Sequence, residues 1–151
     1  MVNVLDKVQP KTKEQLKQLI NYAFKHNIYD LNFIDTSNIT DMSWLFRYND
    51  YNFDVSSWNV SKVKNMYAMF GDCTNFNCDL SDWDVSNVKN MNAMFSGCKK
   101  FTGKGLENCD VSNVKDMSKM FNGCKFNYHE LNWDLSGLSS QIKTFRNYLA
   151  D

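Results

Sequence analysis

The chain has 151 residues and carries 17 lysines and arginines against 17 aspartates and glutamates. That length suits one domain, and an apolar fraction of 43% excludes wholesale disorder. Balanced charge leaves no bulk field to draw the chain to nucleic acid or to an anionic membrane.

Residues 1–7 lack the basic leader, long apolar core and small-residue cleavage site of a secretory signal. No window is apolar enough to span a bilayer. The first predicted element is a helix. Thr12 followed by Gln15 fits a capping box, and Leu16, Leu19, Ile20, Ala23 and Phe24 form one apolar stripe with lysines opposite. Residues 1–30 are therefore expected to be an N-terminal capping helix that closes the array behind it.

From there the chain repeats. The clearest copies run from Trp58 to Phe70 and from Trp83 to Phe95, and a third runs from Cys109 to Phe121. A degenerate first copy ends at Phe46, and a degenerate last copy begins at Trp133 and reaches Phe145. These closing phenylalanines are 24, 25, 26 and 24 residues apart, so about five units of 24–26 residues fill residues 31–151.

Two periods alternate inside each unit. Trp83-Asp84-Val85 alternates apolar and polar residues, the period of a strand. Val88, Met91, Met94, Phe95 and Cys98 then follow at spacings of 3, 3, 1 and 3, as on a helix. Ser86 or Asn87 stands where such a helix is capped, and Gly97 and Gly123 where it and its equivalent end. The expected unit is strand, turn, short helix and loop, stacked into an α/β repeat solenoid whose Trp, Val, Met and Phe ladders form one core. Ile142, Phe145, Tyr148 and Leu149 continue the helical face and predict a C-terminal capping helix. The whole reads as a single structural domain, and the two caps argue for a complete chain.

The ladders absorb most residues that invite a chemical reading. Cys73, Cys98 and Cys124 hold one position in successive units and read as small buried hydrophobes. With Cys78 and Cys109 the cysteines number five, too odd a set for a full disulfide framework, and no CxxC pair suggests zinc. His26 and His129 lie outside the pattern. Met66, Met69, Met91, Met94, Met117 and Met120 sit beside Phe at core spacing, and Trp58, Trp83 and Trp133 share a face with Val60, Val85 and Leu135. There is no Ser/His/Asp order, glycine-rich phosphate loop or HExxH, so neither enzyme activity nor a cofactor is expected. The Asp-rich glycine turns of calcium-binding repeats are missing too.

What the repeat multiplies on the outside is polar. If Trp83 and Val85 point inward, Asp84 points outward, and the same logic exposes Asp35, Asn59, Asp110 and Asp134. Stacking brings these into one column about 5 Å apart. Ser61, Ser86 and Ser112, with Ser37 and Ser136, run beside it, and Asp82 adds a charge one residue before Trp83. Lys64, Lys89 and Lys115 align on the helical side. The expected binding surface is this acidic sheet face. The competing reading is that Asp, Ser and Asn recur as turn and cap residues because the unit recurs.

The phrases from Phe76 to Val88 and from Met91 to Cys98 resemble the BspA-like leucine-rich-repeat surface proteins, in the short-repeat branch of mycoplasma lipoproteins. The resemblance covers about residues 31–148. It implies a leucine-rich-repeat-like solenoid, with a parallel sheet on one side and short helices on the other. It also implies a non-catalytic binding or adhesion role at a bacterial cell surface, with a protein partner. The chain differs from such proteins in having few repeats, no visible export signal and no cell-wall or lipid anchor. An intracellular protein-binding inhibitor or effector, carried by a phage or mobile element, is the alternative. A monomer is expected in either case.

Overall fold

A computed structural model describes residues 7–138. The predicted C-terminal cap, with Ile142, Phe145, Tyr148 and Leu149, lies outside the described residues.

The helix predicted near the start is present as α1, Lys13–Lys25. Thr12 is its N-cap in extended conformation, and the Thr12 hydroxyl accepts the Gln15 N–H at 3.2 Å. The return bond of the box shifts by one residue, for the Gln15 side chain accepts from the backbone N–H of Lys11 at 2.8 Å. The apolar stripe is driven inward: Leu16, Ile20, Ala23 and Phe24 are buried. Phe24 reaches Phe46 and Phe53, and the Lys13 ammonium bonds the Ser43 hydroxyl at 2.7 Å, so α1 lies over the first repeat.

The repeats do not build the expected α/β solenoid. Among the described residues α1 is the one α-helix, joined by short 3-10 turns at Leu106–Asn108 and Tyr128–Glu130. There is no sheet. Pairing is confined to isolated parallel bridges, among them Asp41 with Asn65, Asn65 with Asn90, and Asn90 with Asp116. The leucine-rich-repeat architecture, with its parallel sheet and its row of short helices, is therefore corrected.

The hydrogen bonds give the reason. From residue 85 to 98 the chain runs as consecutive tight turns. Val88 donates to the Val85 carbonyl, Met94 to Met91, Ser96 to Ala93 and Cys98 to Phe95, all at 3.0–3.1 Å. Apart from that of Asn92, the N–H groups between them leave the repeat. Met91, Ala93, Phe95 and Gly97 donate to the carbonyls of Asp116, Ser118, Met120 and Asn122 in the next repeat, at 2.7–2.9 Å. A spacing of three is thus the step from turn to turn, which mimics the step along a helix. Two left-handed residues per repeat forbid the helix itself. The first are Trp44, Ala68, Ala93 and Lys119, with φ of 63, 48, 54 and 56°. The second are Tyr48, Asp72, Gly97 and Gly123, with φ of 64, 59, 76 and 77°. Gly97 and Gly123 hold this second bend rather than ending a helix.

Side chains lock one repeat onto the next. Phe46, Phe70, Phe95 and Phe121 stack with centroids 5.5–6.0 Å apart and planes within 6° of parallel. A second row, Phe53, Phe76, Phe101 and Phe126, runs beside it, and the two rows touch at 4.1–4.9 Å within each repeat. The indole N–H groups of Trp58, Trp83 and Trp133 donate to the carbonyls of Leu31, Val55 and Leu106 at 2.8–3.0 Å. Cys109 stands in the place that Trp58, Trp83 and Trp133 hold in their repeats. Beside it lies an apolar cavity of about 10 Å³ lined in part by Trp83, Cys109 and Trp133.

Candidate functional site

Every Asp or Asn of the predicted column does the same local job. The Oδ1 of Asp35, Asn59, Asp84, Asp110 and Asp134 accepts the backbone N–H of the residue two places on, Ser37, Ser61, Ser86, Ser112 and Ser136, at 2.9–3.1 Å. This side chain makes a turn that the backbone alone would leave open. Ser86 and Asn87 are therefore not helix caps. The hydroxyls of Ser61, Ser86 and Ser112 also donate to that Oδ1, at 2.6 Å, so these serines support the column rather than offer free donors.

The structure brings Asp84, Asp110 and Asp134 together on successive repeats, all exposed. Their Oδ2 atoms carry no hydrogen bond within the described residues. Hydrogen bonds from Ser86, Ser112 and Ser136 hold the three carboxyls below the usual carboxylate range, so they stay ionised. The charge of Asp110 works against this at both Asp84 and Asp134, a sign that the neighbours sense each other. Asp35 is occupied differently: its Oδ2 accepts from the Gln9 amide at 2.8 Å. Asp82 is exposed and stands outside the column of turns. Lys64, Lys89 and Lys115 do align, though on bridged backbone rather than helices: the Lys89 N–H donates to the Lys64 carbonyl, and Lys115 to Lys89.

Sequence reasoning missed a second column. Asp41, Asn65, Asn90 and Asp116 make the same turn with Ser43, Tyr67, Asn92 and Ser118, at 2.8–3.0 Å. A third set joins Asp30, Asp54 and Asp79 to Asn32, Ser56 and Ser81 at 2.8–3.0 Å. The signal was present, since each has a polar residue two places after the Asp or Asn. For the second column it was hidden inside a stretch read as helix.

The five cysteines are free thiols. Cys73, Cys98 and Cys124 donate to the carbonyls of Phe46, Phe70 and Phe95 at 2.9–3.0 Å. Burial pushes the Cys73 and Cys124 thiols up to about 12, and moves Cys98 in the same direction. Neutral, hydrogen-bonded thiols are poor nucleophiles and poor ligands. Among the described residues no three His, Cys, Asp or Glu side chains are grouped to hold a metal ion, and no helix is long and apolar enough to cross a membrane.

Comparison with curated proteins and with solved structures found no match. A family model does match, over residues 14–133 and again over 95–149. The two matches overlap over residues 95–133, around the fourth repeat, as a chain of near-identical units allows. Together they span most of the molecule, and the chain belongs to the family described as Mycoplasma protein of unknown function, DUF285.

Proposed function

We propose that this protein is a non-catalytic protein-binding module whose acidic column grips a partner rich in basic or hydrogen-bond-donating groups. Its setting would be surface or secreted recognition and adhesion. The observation that carries this reading is the half-used carboxylate. In Asp84, Asp110 and Asp134 the turn consumes Oδ1 and leaves Oδ2 without a partner among the described residues. Each carboxylate is thereby pinned before a partner arrives, so little side-chain entropy is lost on binding. Resemblance to BspA-like surface proteins supports the surface setting. The reduced, structurally engaged cysteines favour an intracellular partner for the same face, as an inhibitor or effector.

Asn59 supplies the control, because it makes the same turn without the charge. The triple variant Asp84→Asn, Asp110→Asn, Asp134→Asn should keep the wild-type melting temperature. It should also lose the species that immobilised wild-type protein captures from a cell extract. Capture that survives all three substitutions would rule out the acidic column. Cell fractionation then separates the settings, since recovery from cytosol alone would exclude the surface one.

A further inference from the structure

The first repeat departs from the others at its two bends. At its two left-handed positions stand Trp44 and Tyr48, where later repeats carry Ala68, Ala93 and Lys119, or Asp72, Gly97 and Gly123. A large aromatic at positive φ is strained, and Ala or Gly would serve the bend at lower cost. Yet the rings are not buried in return: Trp44 is 41% and Tyr48 68% exposed. Between them lies the guanidinium of Arg47, 4.1 Å from the Trp44 ring and 4.6 Å from that of Tyr48. Tyr67 meets Trp44 edge-on at 4.7 Å and buttresses it. Arg47 is the sole arginine among the described residues, in a chain that otherwise uses lysine. A planar, forked cation is needed where a charge must stack and also bind in two-pronged fashion.

The state of the guanidinium says what would cover it. Its Nε is buried without a hydrogen bond, 4.0 Å from the Asp72 carboxylate. The two Nη nitrogens have no partner within the described residues and, unlike Nε, are not buried. Asp72 thus flanks the inner side of the fork and leaves its outer edge without an acceptor. That edge matches the two oxygens of a carboxylate. Exposed Trp and Tyr around an arginine is also the composition of energetic centres in protein interfaces.

We propose that Trp44, Arg47, Tyr48 and Tyr67 form a second recognition surface, separate from the acidic column, for an acidic peptide segment of a protein partner. A Glu or Asp carboxylate would bind the Nη edge of Arg47, and the apolar side chains beside it would rest on Trp44 and Tyr48. The test uses the whole chain, labelled with ¹⁵N, and two blocked tripeptides, acetyl-Phe-Glu-Phe-amide and acetyl-Phe-Gln-Phe-amide. The Glu peptide should shift the Trp44 indole and Arg47 Nε–H signals saturably. The Gln peptide should bind at least about tenfold more weakly, since it lacks the charged fork partner. Arg47→Lys should abolish that preference at unchanged melting temperature, and Asp84→Asn should leave it intact, which separates this surface from the acidic column. Equal binding of both peptides, or no shift at Trp44 and Arg47, would overturn the proposal. So would N-acetylneuraminic acid shifting these signals where the Glu peptide does not. If Arg47→Lys lowers the melting temperature, the contrast between the two peptides on the wild-type chain decides alone.

Discussion

Trp83 illustrates how much a single residue carries here. Its ring is buried, and its one polar atom donates to the Val55 carbonyl of the preceding repeat at 3.0 Å. Alternation along Trp83-Asp84-Val85 told which side chains turn inward, and the structure buries Trp83 and Val85 while exposing Asp84. It could not tell what the indole N–H does, because that depends on a carbonyl 28 residues away. Trp83→Phe separates the two roles. It keeps an aromatic ring in the stack and removes one of the two hydrogen bonds that the Val55 carbonyl accepts, the other coming from the Trp58 N–H. The loss should be about 0.5–1.5 kcal/mol, the usual net contribution of one hydrogen bond, plus whatever the smaller ring gives up in packing. Urea unfolding followed by circular dichroism measures it. A variant as stable as wild type would show that the indole bond contributes nothing. The turn-forming aspartates behave oppositely, since Asn59 shows that the amide serves the turn as well as the carboxylate.

Elements differ in how far their own sequence specifies them. α1 was legible because its bonds are local: a cap at Thr12, a stripe at helical spacing and thirteen residues from Lys13 to Lys25. The segment from Val88 to Cys98 has similar spacing and a different structure, because the N–H groups of Met91, Ala93, Phe95 and Gly97 are satisfied by the next repeat and those of Lys89 and Asn90 by the preceding one. Apolar periodicity cannot see that exchange. The clue lay in Asn90 and Asn92, residues that compete with helix by bonding their own backbone. The second row of phenylalanines escaped for a related reason, since Phe53, Phe76, Phe101 and Phe126 lie outside the stretch that repeats most faithfully. Gly97 tests this account of the segment. At φ of 76° a side chain is disfavoured, and its Cβ would collide with the Asp72 carboxylate in the preceding repeat. Gly97→Ala should therefore cost at least about 1–2 kcal/mol in urea unfolding. A helix-terminating glycine replaced by alanine would cost about 1 kcal/mol or less, without touching Asp72. Pairing Gly97→Ala with Asp72→Ala distinguishes the two, because relief of the collision should recover part of the loss.

Across the whole molecule, one chemical motif repeated on several sides makes stability depend on acid. Hydrogen bonds from Ser37, Ser86, Ser112 and Ser136 lower the carboxyls of Asp35, Asp84, Asp110 and Asp134. At Asp41, Asp54 and Asp116 partial burial pulls upward, and the bonds from Ser43, Ser56, Asn92 and Ser118 outweigh it. Asp79, bonded by the Lys104 ammonium and by Ser81, drops from 3.8 to about 2. All eight shifts have one sign. A carboxyl whose value is lower folded than unfolded stabilises the fold above the unfolded value. That contribution is lost as pH falls through the folded one. The melting temperature should accordingly hold level from neutral pH down to about 5, then fall steeply between about 4 and about 2 as the turns lose their charged acceptors together. Asparagine cannot titrate, and Asn65 and Asn90 already make the turn made by Asp41 and Asp116. The double variant Asp41→Asn, Asp116→Asn should therefore keep both turns, give up at neutral pH only the Lys13 ion pair to Asp41 and the Asn92 bond to the Asp116 Oδ2, and decline less steeply in acid. Calorimetry across that range decides the matter. If wild type and variant decline in parallel, acid unfolding is driven by something other than the carboxylates of the turns.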